Sequence, residues 1–289
     1  MKKVAIIGLG LMGGSIAKAL KLSGKYKIMG FDISEDTIAL ANSQNLIDTW
    51  WDGVSEIDSD VTILALSPTL AKRFINDKIS LLKKGSILTD ICGVKQDIVD
   101  FAEEKAKEYG INFVGGHPMA GRAVNGFENS VDSLFASRSY IFTKTRNTQP
   151  EALEVLSQMA YDLGCSDVTV TTPDKHDKLI AFTSQLPHIL AGTYVKSPAS
   201  DEHKGFSAGS YHDVSRVASV DENLWSELFL LNKENLLCEI EIFLKNLTAY
   251  KDAISNNDRQ GVMEIIKEGR ILKERDIKKN GKEKPHKFG

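Results

Sequence analysis

The fold is decided near the N-terminus, where residues 4–13 read V-A-I-I-G-L-G-L-M-G. The four apolar residues predict a buried strand, and the Gly-x-Gly-x-x-Gly pattern after them opens a predicted helix. Gly8 permits a tight turn, Gly10 lets a pyrophosphate lie against the backbone, and Gly13 lets the helix pack close to the strand. We predict a dinucleotide site here, because the helix N-terminus offers free N–H groups to phosphates. The alternative is a structural glycine turn.

A carboxylate ends the second predicted strand. Asp32 lies about 20 residues beyond the glycines, where an acidic side chain accepts hydrogen bonds from a ribose. Its charge would repel a 2′-phosphate, so the predicted cofactor is NAD rather than NADP. We expect Ser67 and Pro68, after the third strand, to lie over the nicotinamide, although an ordinary loop fits them nearly as well. The predicted cofactor-binding residues are thus Gly8, Leu9, Gly10, Leu11, Met12, Gly13, Asp32, Ser67 and Pro68.

Strands and helices alternate along the first half of the chain. Strands are predicted at Val4–Ile7, Lys27–Phe31, Val61–Leu66, Ser86–Ile91, Asn112–Val114, Ser139–Thr143 and Asp167–Thr171. This alternation indicates an α/β fold with a doubly wound, mostly parallel sheet of the Rossmann type. After Pro150 the pattern becomes nearly all helical. We therefore predict a dinucleotide-binding domain over residues 1–165, a helical substrate and dimerisation domain over 166–275, and a basic flexible tail over 276–289.

One predicted helix, from Leu224 to Asn246, carries an extensive apolar surface. Its apolar residues recur at helical spacing, at Leu228, Leu231, Leu236, Ile240, Phe243 and Leu247. Such a helix needs an apolar partner. We expect an interlocked helical homodimer, and packing within its own domain is the alternative.

Composition narrows the class of protein. The 289 residues carry a net charge of −3, which gives no argument for binding nucleic acid or a membrane. Cys92, Cys165 and Cys238 lie too far apart for a disulfide framework or a zinc motif, so we expect a reducing cytoplasm and no metal. The N-terminal apolar run is too short for a signal peptide, and no stretch is long enough to span a bilayer.

A single histidine stands in a glycine-rich segment, G-G-H-P-M-A-G at residues 115–121. We expect His117 to lie in a turn just after a strand. The usual pKa of histidine suits proton transfer near neutral pH, so His117 is a candidate general base. Residue type alone is equally consistent with a turn histidine that has only structural contacts.

Two further polar groups could reach the same site. Gln185 and His188 share a helix face, and Arg216 follows H-D-V-S at residues 212–215. The planar guanidinium of arginine donates two parallel hydrogen bonds, which suits a substrate carboxylate. The alternatives are a helix-interface role for His188 and an ion pair, with Asp213 for example, for Arg216. We expect three further histidines to be solvated or structural, namely His176, His203 and His212.

Taken together, these motifs resemble the prephenate dehydrogenases of tyrosine biosynthesis. The resemblance rests on Gly8–Gly14 with Asp32, T-D-I-C-G-V-K at 89–95, the segment 115–121, L-P-H at 186–188 and S-R at 215–216. It implies that His117 accepts the proton of the ring hydroxyl, His188 binds substrate near the ring, and Arg216 holds a substrate carboxylate. It also places Gly93 and Lys95 near the nicotinamide and implies a C-terminal dimerisation domain.

Three positions depart from this pattern. Many relatives have a serine at the position of Gly93 that orients the substrate hydroxyl and the catalytic histidine. Gln185 stands where relatives often have a second histidine, and Arg122 follows Gly121 where some carry Thr-Glu. We expect Gln185 and Arg122 to contact substrate, Arg122 by adding positive charge for a dicarboxylate. A glycine cannot make the serine contact, so a water, a backbone group or Ser67 would have to make it instead.

Three other functions compete with NAD-dependent oxidation of prephenate. Arogenate dehydrogenase acts on the same ring with an amino acid side chain. A β-hydroxyacid dehydrogenase shares the two-domain layout but uses a catalytic lysine on a helix and lacks the Gly-His-Pro segment. A nucleotide-sensing module would form no NADH at all.

Overall fold

A computed structural model describes residues 1–207 and 209–281. The chain divides into two compact units, Met1–Leu236 and a second that begins at Leu237. An eight-stranded sheet organises the first unit. Its strands are β1 (Lys2–Ile7), β2 (Tyr26–Phe31), β3 (Thr49–Trp50), β4 (Val61–Leu64), β5 (Ile87–Asp90), β6 (Asn112–Pro118), β7 (Ser139–Thr143) and β8 (Asp167–Thr171).

The strand order is β3-β2-β1-β4-β5-β6-β7-β8. Strands β1 to β6 pair in parallel, β7 is antiparallel to β6, and β8 is parallel to β7. The predicted mostly parallel, doubly wound α/β sheet is confirmed. The order reverses between β1 and β4, and ligands of such sheets bind at this point, beyond the carboxyl ends of the strands.

Helices connect the strands and make up most of the chain after the sheet. They are α1 (Leu11–Ser23), α2 (Glu35–Ser43), α3 (Pro68–Lys78), α4 (Gln96–Tyr109), α5 (Pro150–Asp162), α6 (Pro173–Ile180), α7 (Leu186–Tyr194), α8 (Gly209–Ser215), α9 (Glu222–Leu231), α10 (Lys233–Ser255) and α11 (Arg259–Asn280). A π-helical turn, Ala181–Gln185, lies between α6 and α7. Among the helices of the described ranges, none has the length and apolar character needed to cross a bilayer.

The core lies on both faces of the sheet. Successive side chains of a strand point to opposite faces, so the continuous apolar run of β1 is buried on both sides. Val4 and Ile6 pack in one cluster that includes residues of α1 and α5. Ala5 and Ile7 pack in the other, with residues of α3 and α4. This double burial explains why an uninterrupted apolar run, rather than an alternating one, marks the first strand.

Three predicted boundaries differ from the structure. Strand β8 pairs with β7, so the sheet continues to Thr171, past the predicted domain limit at 165. The predicted helix 224–246 is two helices, because α9 ends at Leu231 and α10 starts at Lys233. Helix α11 continues to Asn280, so residues 276–280 are helical rather than part of a tail. The rest of the predicted tail, residues 282–289, lies outside the described residues.

The second unit contains the greater part of α10 together with α11. Large apolar side chains on these helices are 40% or more exposed within this single chain. They are Leu237, Ile242, Leu244, Leu247, Ile254, Met263, Ile266, Ile271 and Leu272. A monomer rarely leaves so many apolar side chains uncovered on neighbouring turns.

Candidate active site

The glycine turn connects β1 to α1 at the carboxyl edge of the sheet. Gly8 has φ of +93°, a left-handed conformation that side chains rarely adopt. A Cβ added at Gly13 would lie 1.8 Å from the carbonyl oxygen of Gly8, whereas one at Gly10 would meet no atom within 4 Å. Gly8 and Gly13 therefore close the turn, and Gly10 leaves open space beside the backbone. No described side chain caps the N-terminus of α1, so its first N–H groups face that space.

Asp32 follows β2 and is tied to the same turn. Its Oδ2 accepts a hydrogen bond from the N–H of Leu9 at 2.8 Å, and its Oδ1 accepts one from the N–H of Ser34 at 3.0 Å. The carboxylate is partly exposed and keeps lone pairs for a further donor. Asp32 and Leu9, both predicted to bind the cofactor, are thus in direct contact.

The loop after β4 is held from a distant helix. Ser67 and Pro68 begin α3, and Glu227 Oε1 of α9 accepts a hydrogen bond from the N–H of Thr69 at 2.6 Å. An acidic side chain is favourable at a helix N-terminus, where the backbone dipole is positive. This contact ties the predicted nicotinamide loop to α9.

A buried ion pair supports the segment that carries His117. Asp90 ends β5, and its carboxylate pairs with the Lys95 ammonium, both side chains being fully buried. Lys95 Nζ also donates to the carbonyl of Gly116 at 2.7 Å, and Asp90 Oδ1 accepts from the N–H of Gly116 at 3.2 Å. Both backbone groups of the residue before His117 are therefore bound by this pair. Lys95 acts here as a support of the site.

His117 lies in a strand rather than in the predicted turn. Strand β6 continues through Pro118, and His117 pairs with Ile141 of β7. The glycines before it allow close packing, since a Cβ at Gly116 would lie 2.6 Å from the carbonyl oxygen of Asp90. The regular strand gives His117 a fixed backbone, which suits a group that must hold one orientation.

Three side chains form a hydrogen-bonded chain at this point. His117 Nδ1 lies 2.9 Å from His176 Nε2, and His176 Nδ1 lies 2.7 Å from Asp177 Oδ1. Asp177 is held in turn by the N–H groups of Lys95 at 2.7 Å and Gln96 at 2.8 Å. His176 and Asp177 are each only 2% exposed. We call His117, His176 and Asp177 the histidine chain.

The environment favours neutral imidazoles in both histidines. Burial holds the pKa of His117 well below its usual value, and the positive charges of His176, when protonated, and Lys95 act in the same direction. Burial also lowers the pKa of His176, although its hydrogen bond to Asp177 opposes the shift. A neutral imidazole is the form that accepts a proton.

Gly93 leaves room beside the free nitrogen of His117. A Cβ at Gly93 would lie 3.9 Å from His117 Nε2 and 3.3 Å from a methyl group of Leu228. A side chain at this position would therefore reach Nε2, which is consistent with the role that the resemblance gives to a serine here. The neighbouring Cys92 does not supply it, because that side chain is buried and its Sγ lies 3.6 Å from the carbonyl oxygen of Leu66.

His188 and Arg216 lie close to each other on the helical side. His188 Nδ1 donates to the carbonyl of Val217 at 2.7 Å, and its ring lies 3.8 Å from that of Trp225 between centroids. Burial lowers the pKa of His188, and the charge of Arg216 adds to the effect. Arg216 is exposed just past the end of α8, and none of the carboxylates in the described ranges forms an ion pair with it, Asp213 included.

Gln185 is buried inside the protein, whereas Arg122 lies at the surface. Gln185 is 1% exposed; its Nε2 donates to the carbonyl of Leu228 at 2.9 Å and its Oε1 accepts from Asn232 at 2.7 Å. Both ends of its amide are thus bound inside the protein, so it links the π-helical turn to α9 and to Asn232, the residue between α9 and α10. Arg122 is exposed and donates to the carbonyl of Asn129 at 3.0 Å.

Sequence reasoning missed His176 and Asp177. Their adjacent positions at the start of α6 indicate only a polar first turn, and nothing local shows that this turn lies against β6. His203, by contrast, is a surface residue that contacts Ser207 and stacks on Tyr211. No group of three or more His, Cys, Asp or Glu side chains within residues 1–207 and 209–281 is arranged to hold a metal ion.

Comparison with known proteins identifies the family. The fold and the glycine turn define a dinucleotide-binding class of protein, and two family models refine this. The prephenate dehydrogenase nucleotide-binding domain matches residues 16–168, and the prephenate dehydrogenase dimerization domain matches residues 172–268. The chain belongs to the prephenate dehydrogenase family, whose members are enzymes of tyrosine biosynthesis. This result disfavours the β-hydroxyacid dehydrogenase and nucleotide-sensor alternatives.

Individual relatives span most of the chain. Prephenate dehydrogenase of Lactococcus lactis subsp. cremoris is 30% identical over 95% of this chain and 77% of that protein. Cyclohexadienyl dehydrogenase of Zymomonas mobilis is 29% identical over 92% and 93%. The crystal structure of prephenate dehydrogenase from A. aeolicus in complex with hydroxyphenyl propionate and NAD+ superposes with a TM-score of 0.82 at 31% identity, covering 95% of this chain and 98% of that one.

Proposed function

We propose that this enzyme oxidises and decarboxylates prephenate with NAD, giving 4-hydroxyphenylpyruvate and CO2, with His117 as the base. The observation that carries the proposal is the position of His117. Its Nε2 would lie 3.9 Å from a Cβ at Gly93, at the sheet edge where the glycine turn and Asp32 lie. This position supports His117 as a neutral base beside the predicted nicotinamide side of the site.

The glycine turn fits a dinucleotide. The open space at Gly10 and the uncapped N-terminus of α1 suit a pyrophosphate, and the ribose would hydrogen-bond to Asp32. The charge of Asp32 favours NAD over NADP, since a 2′-phosphate would lie against a carboxylate. Ser67, Pro68 and Gly93 would border the nicotinamide. NAD, when bound, supplies the acceptor for the hydride.

The chemistry of the protein side chains follows from the position of His117. His117 Nε2 accepts the proton of the ring hydroxyl as hydride leaves the ring carbon that bears this hydroxyl. The developing ketone withdraws electrons, the bond to the ring carboxylate breaks, and CO2 leaves while the ring becomes aromatic. The imidazolium then returns its proton to the phenolate oxygen. General base catalysis of this kind contributes about 10²–10⁴-fold in rate.

Positively charged and polar side chains would orient the substrate. Arg216, exposed and close to His188, would hold a carboxylate through its planar guanidinium. His188 would face the ring, and Arg122 would add positive charge at the rim of the site. We now assign Gln185 a positioning role, because its amide is bound inside the protein.

We also propose a homodimer through the C-terminal helices. The match to a dimerization domain over residues 172–268 and the exposed apolar side chains of α10 and α11 support it. Burying these side chains against a second copy would stabilise the dimer by roughly 25 cal/mol for each Å² of apolar surface removed from water. We further expect the enzyme to act in the cytoplasm, without nucleic acid or membrane partners.

The direct test is NADH formation followed by absorbance, with prephenate and arogenate, each with NAD and NADP. We expect the highest kcat/KM with prephenate and NAD. A higher kcat/KM with arogenate would make arogenate the preferred substrate, and a higher kcat/KM with NADP would make NADP the preferred cofactor. No reduction with any combination would remove the proposed function.

A further inference from the structure

We infer that His176, held by Asp177, sets the tautomer of His117 so that Nε2 carries the free lone pair. The inference deepens the proposed function and rests on His117 being its base. It makes His176 a positioning residue, because it touches His117 and lies on the side of that ring away from Gly93. The serine missing at position 93 would act from the Nε2 side, whereas the histidine chain acts from the Nδ1 side.

The direction of each hydrogen bond follows from the acceptor at the end of the chain. An ionised Asp177 carboxylate only accepts, so His176 Nδ1, 2.7 Å away, must carry hydrogen. A neutral His176 then has its lone pair on Nε2. His117 Nδ1, 2.9 Å from that nitrogen, must therefore donate, which leaves the lone pair of His117 on Nε2. Two hydrogen bonds thus select one tautomer of the base.

Asp177 is fixed well enough to impose this direction. Its two oxygens accept from the N–H groups of Lys95 and Gln96 at the start of α4, and its backbone carbonyl accepts from Asn232. The two N–H groups hold both carboxylate oxygens as acceptors. The opposite arrangement would set a lone pair of His176 Nδ1 against that carboxylate. A doubly protonated His176 would avoid this repulsion, but burial disfavours that charged form.

The first experiment reads the tautomer itself. Long-range 15N–1H spectra of protein labelled at histidine nitrogen distinguish protonated from unprotonated ring nitrogens, and the chain has only six histidines. Loss of one set of signals in His117→Asn assigns that residue. We expect Nδ1 of His117 to be protonated and Nε2 unprotonated in the wild-type enzyme at neutral pH. A protonated Nε2 with a free Nδ1 would overturn the inference.

Two substitutions at His176 separate positioning from packing. Gln places an amide oxygen near the position of Nε2, so His176→Gln keeps an acceptor for His117 Nδ1, while His176→Leu removes it. We expect His176→Leu to lower kcat by about 10²-fold or more, with a smaller effect on KM and on NAD affinity, because the wrong tautomer cannot act as the base. The kcat of His176→Gln should exceed that of His176→Leu by about tenfold, which corresponds to the free energy of one hydrogen bond.

The control is His203→Leu, which removes a surface histidine and should leave kcat within about twofold of wild type. Equal losses in the Leu and Gln variants, with the tautomer of His117 unchanged in both, would overturn the inference. Wild-type kcat in His176→Leu would do the same. Failure of the wild-type enzyme to use prephenate or arogenate would remove the proposed function alone, because the tautomer is measured without substrate.

Discussion

The glycine turn after β1 and the histidine chain at the end of β6 lie at the same edge of one sheet but are built differently. The turn is made of backbone, and its function depends on missing side chains, which permit close packing at Gly13 and leave open space at Gly10. The histidine chain is made of side chains from strand β6 and helix α6, 59 residues apart between His117 and His176. Added atoms would disrupt a turn of this kind, whereas lost hydrogen bonds or altered charge would disrupt the histidine chain.

The supports of the two regions differ in the same way. Leu9 and Asp32 brace the glycine turn through an N–H and a carboxylate at its rim. The histidine chain is supported by a fully buried ion pair, Asp90 and Lys95, that forms hydrogen bonds with Gly116, the residue before His117. Buried charges depend strongly on their partners, so the second region should be the more sensitive to single substitutions.

The largest effect should come from removing the base. We expect His117→Asn to lower kcat by about 10²–10⁴-fold while NAD affinity stays within a few-fold of wild type, since Asn cannot accept the proton. Steady-state kinetics and NAD titration measure the two quantities. Near-normal turnover would remove His117 from the base role and, with it, the contrast between the two regions.

Breaking the buried ion pair should be the largest effect on stability. Lys95→Met leaves Asp90 charged and unpaired, and the expected loss is about 3–5 kcal/mol in the free energy of unfolding. Urea unfolding measures it. The matched control is Lys72→Met, because the Lys72–Asp97 pair is about one-third exposed and should be worth no more than about 1 kcal/mol. Equal losses in the two variants would show that burial adds nothing to the first pair.

Added methyl groups should separate closure of the glycine turn from its ligand space. Gly13→Ala places a Cβ against the carbonyl of Gly8, so we expect a loss of about 1–3 kcal/mol in stability. Gly10→Ala meets open space in the protein, so stability should change by less than about 1 kcal/mol while NAD affinity falls. Thermal unfolding and NAD titration compare them. Unchanged NAD affinity in Gly10→Ala would place the pyrophosphate elsewhere.

The smallest effect concerns pH. The pKa of His117 is depressed by burial, so the base stays neutral down to a pH below the usual histidine value of 6.5. As pH falls through the depressed pKa, protonation removes the base, and kcat/KM should drop about tenfold per pH unit. A pH profile of kcat/KM for prephenate measures this limb. A midpoint above 6.5 would contradict neutral His117 in the free enzyme.

Most of the sheet could be predicted because its signals are local. The apolar run of β1, the glycines after it and the alternation of strands and helices each depend on residues close in sequence. Asp32 was located by its spacing from the glycines, and His117 by its setting in a glycine-rich segment. The break at Asn232 was missed, because apolar spacing continues across it while the buried Asn232 side chain bonds to Asp177 and Gln185.

The sequence by itself determined the α/β sheet, the dinucleotide turn and the identity of the candidate base. Only the tertiary structure shows the hydrogen-bonded chain from which we infer the tautomer of that base. His176 and Asp177 reach His117 because helix α6 packs beside the start of α4, and sequence periodicity does not record such contacts between distant segments. It also shows Gln185 buried with both ends of its amide bound inside the protein, where residue type alone suggested a contact with substrate. Local patterns specify elements, whereas the direction of a proton depends on which side chains the packed elements bring together.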